Sequence, residues 1–226
     1  MPRTARASAA GYSYHVLNRG NARAQVFHKE GDYEAFLDAI SEAGLRVPMR
    51  LLGYCLMPNH FHLVLWPRGD GDLSRWMHWL LTTHVRRYIA HYHSSGHVWQ
   101  GRFKAFPIEE DPHLLTVLRY VERNALRANL VARAEQWRWC SLWRRATRKP
   151  PEGPALSPWP IERPSGWTRR VNAALSPAEE EAIRRAIQRG QPFGDMAWQV
   201  KTAQRLGLLS TLRPIGRPRA SLVGDS

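Results

Sequence analysis

The alternation of apolar and polar residues predicts four short β-strands in the first half of the chain. Residues 12–18, YSYHVLN, mix aromatic and β-branched side chains and stop at the turn sequence RGN. Residues 51–57 and 61–66 are two further β-rich runs, and the PNH sequence between them is typical of a hairpin. A fourth strand is predicted within HVWQGRFKAFPIEE, which follows a loop that contains SSG.

Three helices are predicted between and after these strands. Residues 30–46 carry apolar side chains at helical spacing, and residues 73–92 form a longer amphipathic segment. A third helical segment runs from His113 to about Asn129. This order predicts an α+β fold of the ferredoxin-like β-α-β-β-α-β type, with helices on one face of an antiparallel sheet and an added C-terminal helix that carries Tyr120.

The chain is predicted to have one main domain and a basic extension. Its 226 residues suffice for one sizeable core. Residues 1–11 form a basic N-terminal arm, residues 12–146 the main domain, and residues 147–175 a Pro/Gly-rich linker or wrapping segment. Residues 176–226 form a basic tail region. It begins with a short helix, whose Ser-Pro start and Glu179 match a capping box.

The charge of the chain favours a polyanionic partner. The 33 Lys and Arg against 19 Asp and Glu give a net charge of +14, so nucleic acid is the leading candidate, although ribosomal and membrane-surface proteins share such a balance. Cys55 and Cys140 lie far apart without CxxC spacing, which predicts neither a disulfide framework nor a cysteine zinc site. Without a signal-peptide pattern or a run of roughly 18 apolar residues, we expect a cytoplasmic protein with no membrane partner.

Two histidines one residue apart, His60 and His62, lie at the start of the third predicted strand. Because residues i and i+2 of a strand point to the same face, both imidazoles share a side with Val64, while Phe61 faces the opposite way. That spacing suits two ligands of one metal ion close to solvent. Two strand histidines that serve only the core also fit the pattern.

A polar face on the last predicted helix offers a nucleophile and a further ligand. Tyr120 and Asn124 are one helical turn apart, so their hydroxyl and amide project from one face, with Arg127 just beyond. A half-buried core tyrosine and a helix asparagine have the same spacing, and Tyr88 with Tyr92 repeats it on the preceding helix. Spacing alone therefore does not choose between the two interpretations.

Aromatic and cationic residues suited to single-stranded DNA interleave before the fourth strand. Single strands are held by base stacking on aromatic rings and by cations that contact phosphates, and Trp99, Arg102 and Lys104 supply both. Trp99 equally fits a core or lid residue. Arg19, in the turn after the first strand, and Arg127 are predicted to contact the nucleic-acid backbone.

The C-terminal tail has no acidic residue between positions 199 and 219. Arg213, Arg217 and Arg219 lie in LRPIGRPRA, an extended, Pro-stiffened cationic strip that resembles a minor-groove hook. We expect this strip to contact DNA. A solvated end without a partner is the alternative.

Four motifs together carry a family resemblance. MPNHFHLVLW, YHVLNRG, VWQGRF and YVERNALRANLV, at the positions they occupy here, resemble the REP-associated tyrosine transposases, which are relatives of the single-tyrosine HUH transposases. The resemblance spans residues 12–131. It identifies the main domain, residues 12–146, as a domain similar to that of the HUH single-tyrosine transposases.

The resemblance implies roles for four residues. His60, His62 and Asn124 are expected to bind a divalent metal ion, and Tyr120 is expected to attack DNA. Many relatives have Pro after the corresponding asparagine, whereas Ala125 stands here. Because Ala does not interrupt a helix, the helix can run on past Asn124, which changes the setting of the third ligand.

The function implied is that of a metal-dependent endonuclease and strand transferase, which cuts single-stranded DNA next to REP-type hairpins through a 5′-phosphotyrosine intermediate. Mg²⁺ or Mn²⁺ fits the amide and phosphate oxygens better than Zn²⁺, and the absence of a GxxxxGK[ST] loop predicts no nucleotide cofactor. The expected partner is DNA, at the nucleoid of a bacterial cytoplasm; monomer and homodimer both stay open. Two other interpretations remain: a DNA-binding protein that no longer cuts, and a zinc hydrolase that does not use Tyr120.

Overall fold

An antiparallel sheet forms the centre of the molecule in the computed structural model, which describes residues 8–148 and 152–213. Its four strands are β1 (Ser13–Arg19), β2 (Met49–Met57), β3 (His60–Pro67) and β4 (Lys104–Ile108). They lie in the order β2-β3-β1-β4, and every neighbouring pair is antiparallel. The predicted hairpin joins β2 directly to β3.

Helices cover both faces of this sheet. α1 (Glu30–Arg46) and α2 (Asp72–Tyr92) lie on one face, where their apolar residues form a cluster with Leu63 and Leu65 of β3. α3 (Pro112–Glu122) packs on the other face in a second cluster. The predicted α+β fold of β-α-β-β-α-β order is confirmed. The appended helix lies on the face opposite to the other two.

Side chains alternate along β3 as the sequence predicts. Phe61 belongs to the cluster beneath α1 and α2, whereas Val64 belongs to the cluster beneath α3. His60 and His62 share the side of Val64 because side chains two residues apart in a strand point to the same face. Both imidazoles therefore lie on the side of the sheet that α3 covers.

Local capping fixes where α3 begins. The Asp111 side chain accepts a hydrogen bond from the backbone N–H of His113 at 2.8 Å, which satisfies one of the free donors at the helix start. Pro112 occupies the first helical position, where its missing N–H costs nothing. The start of the predicted helix is accordingly correct to within one residue.

The end of this helix is interrupted rather than continuous. α3 ends at Glu122, Arg123 keeps near-helical backbone angles (φ −83°, ψ −6°), and a short α4 (Asn124–Arg127) follows. The chain thus remains helical past Asn124, as the Ala at position 125 permits. The predicted segment to about residue 129 is present as two pieces that end two residues earlier.

Residues after the sheet form five further helices within the described part of the chain. These are α5 (Ser141–Ala146), α6 (Trp167–Asn172), α7 (Pro177–Arg189), α8 (Met196–Arg205) and α9 (Leu209–Leu212). The predicted short helix is α7, and the Ser176 hydroxyl and the Glu179 carboxylate form the predicted capping box at its start. Among residues 8–148 and 152–213, no helix combines the length and apolar content needed to span a membrane.

The segment between α5 and α6 packs along the edge strand β2. The backbone N–H of Ser157 donates to the Leu51 carbonyl at 2.8 Å, and the Trp159 indole N–H donates to the Leu52 carbonyl at 2.8 Å. These are the contacts of a wrapping segment. The predicted division into an arm, a main domain, a linker and a tail stays a prediction, and residues 1–7 of the arm lie outside the described part.

A buried carboxylate joins α3 to the extension. Glu122 is fully buried, and it accepts hydrogen bonds from the Ser141 hydroxyl and the Trp167 indole N–H, both at 2.6 Å. Burial raises the pKa of Glu122 above its usual value, and the two hydrogen bonds oppose that rise. Since Glu122 lies two residues after Tyr120, these bonds fix the C-terminal end of α3, which carries Tyr120, against α5 and α6.

The turn after β1 gives a first testable prediction. A Cβ added at Gly20 would lie 2.1 Å from the Ala24 carbonyl oxygen, and the Gly20 N–H donates to the Asn59 carbonyl at 2.8 Å. Gly20→Ala therefore has to move backbone, and we expect the free energy of unfolding to fall by about 1–3 kcal/mol in urea denaturation.

Gly44 within α1 provides the matched control for this substitution. A Cβ at Gly44 meets nothing within 4 Å, and Ala is the better helix former by about 0.5–1 kcal/mol. Gly44→Ala is expected to leave stability unchanged or raise it. Equal effects of the two substitutions would show that a Cβ at Gly20 does not clash with the Ala24 carbonyl oxygen.

Candidate active site

A cavity of about 420 Å³ opens between β1, β3, α3, α4 and α7. All four residues expected from the family resemblance to act in chemistry line it, namely His60, His62, Tyr120 and Asn124. Three arginines line it as well: Arg19, Arg127 and Arg184. The fold thus gathers two imidazoles, a phenol, an amide and three guanidinium groups around one space.

Each imidazole of the pair has a hydrogen-bond partner at its Nδ1 atom. The Nδ1 atom of His60 lies 2.7 Å from the Asn59 side-chain oxygen, to which it donates. The Nδ1 atom of His62 lies 2.9 Å from the Nε2 atom of His15 on the neighbouring strand β1. The Nε2 atom of His62 is buried and has no hydrogen-bond partner among the described residues. Such an unpartnered nitrogen at the cavity is suited to bind a metal ion.

The surroundings keep these imidazoles neutral. Burial lowers the pKa of His60 to about 4, the positive charges of Arg19 and Arg127 add to that fall, and a hydrogen bond with the Asn124 side chain opposes it. Burial also lowers the pKa of His62 well below its usual value. Neutral imidazoles have the free lone pair that a metal ligand requires.

Tyr120 and Asn124 project into the cavity from successive turns. The Tyr120 side chain is 4% exposed, and its ring centroid lies 5.8 Å from that of His62. One Arg127 nitrogen lies 3.4 Å from both the Tyr120 hydroxyl and the Asn124 side-chain oxygen, and the guanidinium lies 5.0 Å from the Tyr120 ring centroid. Arg127 therefore contacts both groups. The Asn124 amide nitrogen is buried without a partner among the described residues.

The predicted backbone-contact residues lie at or near the cavity. Arg19 and Arg127 line it directly. Lys104 is exposed at the start of β4 and pairs in register with Leu17, which lines the cavity. Arg102 is exposed in the loop that precedes β4.

Trp99 does not lie at the cavity. It is 6% exposed and packs in the cluster beneath α1 and α2, with its ring centroid 5.3 Å from that of Phe61 and 5.0 Å from that of His84. Its position is therefore that of a core residue. Stacking of a base on Trp99 stays a prediction, and the burial of the Trp99 ring does not support it.

The predicted tail residues lie apart from the cavity or outside the described chain. Arg213 is exposed and lines a separate groove beside α7 and α8, and its carbonyl accepts a hydrogen bond from Arg189. Arg217 and Arg219 lie outside the described residues. Contact between this strip and DNA stays a prediction.

Two residues near the site escaped the sequence analysis. His15 stands in the first predicted strand. The residue pattern of this strand does not reveal which other strand lies beside it. Arg184 reaches the cavity from α7, and it pairs with Glu180 at 2.8 Å like an ordinary surface helix residue. No local signal separates Arg184 from its neighbours on that helix.

A second group of metal-ligand types lies at the start of α3. Ligand atoms of Glu109, Asp111 and His113 lie within 4.8 Å of one another in the described part of the chain. Two of these side chains already serve the fold: Asp111 caps α3, and Glu109 accepts a hydrogen bond from the Asp195 N–H at 2.8 Å. This group therefore has a structural explanation and lies two helical turns from Tyr120.

The fold and the family comparison define the class of protein. A model of the IS200-like transposases matches residues 8–124, just over half of the chain and the part that contains the four predicted chemical residues. The chain belongs to the IS200-like transposase family. It is thus a transposase that acts on DNA, and the membership predicted from the motifs is confirmed. Among curated proteins, none matches the chain.

A solved structure agrees with this assignment at the level of the fold. The chain is similar to a REP-associated tyrosine transposase bound to a REP hairpin, with a TM-score of 0.53, 21% identity, and coverage of 66% of this chain and 87% of that chain. The chain is also similar to a candidate transposase from Deinococcus radiodurans R1, with 19% identity and coverage of 54% of this chain and 96% of that chain. The TM-score of this match is 0.39, and no conclusion is based on it.

The neutral imidazoles predict a loss of stability in acid. An unfolded histidine with its usual pKa of 6.5 binds a proton between pH 6.5 and 4, whereas folded His60, with a pKa of about 4, does not. The unfolded chain therefore binds more protons in this range, and the free energy of unfolding falls as pH falls. One such group changes the slope by up to about 1.4 kcal/mol per pH unit.

Urea denaturation of the metal-free protein between pH 7.5 and 4.5 measures this effect. His60→Gln, which does not titrate, is expected to show a shallower fall in the free energy of unfolding than the wild type. The same slope in both proteins would contradict the low pKa of His60.

Proposed function

We propose that the chain is a metal-dependent single-stranded DNA endonuclease and strand transferase, which cuts through a covalent bond between Tyr120 and a 5′ phosphate. The observation that carries this proposal is the single cavity that joins the Tyr120 hydroxyl to His60, His62 and Asn124. A nucleophile beside candidate metal ligands is the arrangement that phosphodiester transfer requires. Membership in the IS200-like transposases supports the same chemistry.

The donor set of the cavity fits a divalent cation. His62 has an unpartnered buried Nε2 atom, the Nε2 atom of His60 carries a lone pair when Nδ1 donates to Asn59, and Asn124 offers an amide oxygen. When bound, Mg²⁺ or Mn²⁺ would neutralise charge on the scissile phosphate. The mixture of imidazole and oxygen donors favours these two ions over Zn²⁺ once phosphate oxygens and water complete the site.

Tyr120 is the proposed nucleophile. Its oxygen attacks phosphorus, a new tyrosine–phosphate ester forms, and the bond from phosphorus to the 3′ oxygen breaks. The phenol gives up its proton, and the departing 3′ oxygen takes one up to become a free 3′-OH. Because one ester replaces another, a second strand end can attack the same phosphate and complete transfer without a nucleotide cofactor.

The cations around the cavity are proposed to bind the DNA backbone. Arg127 contacts the Tyr120 hydroxyl and therefore lies where the scissile phosphate would approach. Arg19 and Arg184 border the same space, and exposed Lys104 and Arg102 extend the positive surface along β4. Guanidinium groups bind phosphate oxygens with two parallel hydrogen bonds, which positions the strand without reading its sequence.

The proposed substrate is a single strand next to a REP-like hairpin. The solved relative was bound to a REP hairpin, and the motif resemblance points to the same group of transposases. Both support a hairpin-flanked strand as the DNA to test first. Action as a monomer and action as a homodimer are both compatible with the proposal.

A covalent-adduct assay tests the nucleophile. The protein is incubated with hairpin-flanked single-stranded oligonucleotides and Mn²⁺ or Mg²⁺, and denaturing electrophoresis detects a protein–DNA adduct. We expect Tyr120→Phe to abolish the adduct, because no other group takes the place of the phenol oxygen. Tyr88→Phe is the control, since the Tyr88 hydroxyl bonds to His28 on the other face of the sheet.

Each alternative function has its own outcome in this assay. An adduct that persists in Tyr120→Phe would remove Tyr120 as the nucleophile. Tight binding of the hairpin by the wild type with no adduct in either metal would indicate a DNA-binding protein that no longer cuts. Metal-dependent cleavage that survives in Tyr120→Phe without any adduct would indicate a hydrolase.

Two adjacent arginines on α7 test the phosphate contacts. Arg184 lines the cavity, whereas Arg185 lines the separate groove, and their side chains are 56% and 59% exposed. For a single strand, log affinity falls with log salt concentration, and loss of one phosphate contact makes this slope shallower by about 0.7. We expect Arg184→Gln to weaken binding of the single strand with that change in slope.

Arg185→Gln is the matched control, because it removes the same charge from the same helix. Its affinity and salt slope are expected to equal those of the wild type. The measurement is a titration of fluorescent single-stranded oligonucleotide at several salt concentrations. Equal effects of both substitutions would mean that Arg184 contributes only to net charge.

A further inference from the structure

A third histidine lies behind the imidazole pair. His15 on β1 is 1% exposed, and its Nε2 atom lies 2.9 Å from the Nδ1 atom of His62. Its ring packs against Phe106, with centroids 4.9 Å apart. The backbone of β1 runs antiparallel to β3, so the distance between the two rings is set by the sheet. His15 is therefore a fixed neighbour of His62.

Hydrogen bonding between two neutral imidazoles can take only two forms. If His15 donates, the Nδ1 atom of His62 accepts, and the single proton of His62 has to lie on Nε2. If His62 donates through Nδ1, its Nε2 atom carries a lone pair. The first form places a buried N–H at the cavity without a partner among the described residues, which is unfavourable for a strong donor. The second form leaves a nitrogen that can bind a cation.

We propose that His15 is a positioning residue, which accepts a hydrogen bond from His62 and so holds His62 in the tautomer whose Nε2 atom binds a divalent cation. This inference rests on the proposed function of the same site. Ligand histidines in metal sites are commonly oriented by a partner on their other nitrogen. Here that partner is the His15 imidazole. When the Nε2 atom of His62 binds the ion, the Nδ1 atom of His62 carries the proton, so His15 can only accept the hydrogen bond.

Two substitutions at position 15 separate this role from simple packing. His15→Phe keeps an aromatic ring against Phe106 but removes the acceptor. His15→Gln places an amide oxygen near the position of the imidazole Nε2 atom and restores the acceptor. His84→Phe is the matched control, because His84 is a buried imidazole that packs among aromatic rings on the other face of the sheet.

The tautomer is measured directly in the metal-free protein. Long-range ¹H–¹⁵N correlation spectra of histidine-labelled protein distinguish protonated from unprotonated ring nitrogens, and His62→Gln identifies the His62 signals by their loss. We expect protonated Nδ1 and unprotonated Nε2 for His62 in the wild type and in His15→Gln. In His15→Phe, His62 is expected to populate the form protonated on Nε2. Wild-type His62 protonated on Nε2 would overturn the proposal.

Cation affinity is the second readout. The electron paramagnetic resonance signal of free Mn²⁺ gives the affinity of each variant without any DNA. Loss of such a partner weakens metal binding by roughly 10- to 100-fold, so we expect that loss in His15→Phe, recovery in His15→Gln, and no change in His84→Phe. Wild-type affinity in His15→Phe would overturn the proposal, as would a wild type that binds no Mn²⁺.

Failure of the proposed function gives a different pattern. If Mn²⁺ binds in a manner that depends on His15 but no adduct forms with DNA, the positioning role stands and the nuclease proposal falls. If the adduct forms equally well in wild type and His15→Phe, and Mn²⁺ affinity is also unchanged, the nuclease proposal stands and the role of His15 falls.

Discussion

The packing of α3 on one face of the sheet is the constraint on which the candidate site depends. Gly53 on β2 allows the approach, because a Cβ there would lie 2.8 Å from a terminal carbon of Leu118. Glu122 then holds the end of the helix through bonds to Ser141 in α5 and Trp167 in α6. With α3 fixed in this way, Tyr120 lies beside His62, and the proposed nucleophile from one element meets a candidate ligand from another.

The extension takes part in both the fold and the site. Trp167 in α6 completes the partners of the buried Glu122 carboxylate, and Arg184 and Ile187 in α7 form one wall of the cavity. A carboxylate buried without these donors would cost several kcal/mol or take up a proton. The family model matches only residues 8–124, so this wall is supplied by a part of the chain beyond the matched region.

The charges of the cavity are suited to two purposes at once. Guanidinium groups are suited to bind phosphate, and, after burial, the same positive charges of Arg19 and Arg127 lower the pKa of His60. Imidazoles held neutral in this way keep the lone pairs that bind a cation. A site suited to an anionic strand thus also keeps its candidate metal ligands unprotonated at neutral pH.

The sequence by itself determined the four strands, the helices α1, α2, α3 and α7, and half of the site, whereas α5, α6, α8 and α9 were not predicted. The shared face of His60 and His62 follows from the two-residue period of a strand, and the pairing of Tyr120 with Asn124 follows from the helical turn, because both periods are properties of the local backbone. Only the tertiary structure decided that Trp99 lies in the core and that Arg184 reaches the cavity. It also placed His15 against His62, 47 residues away. Such contacts depend on which strands and helices become neighbours, and no local period encodes that choice.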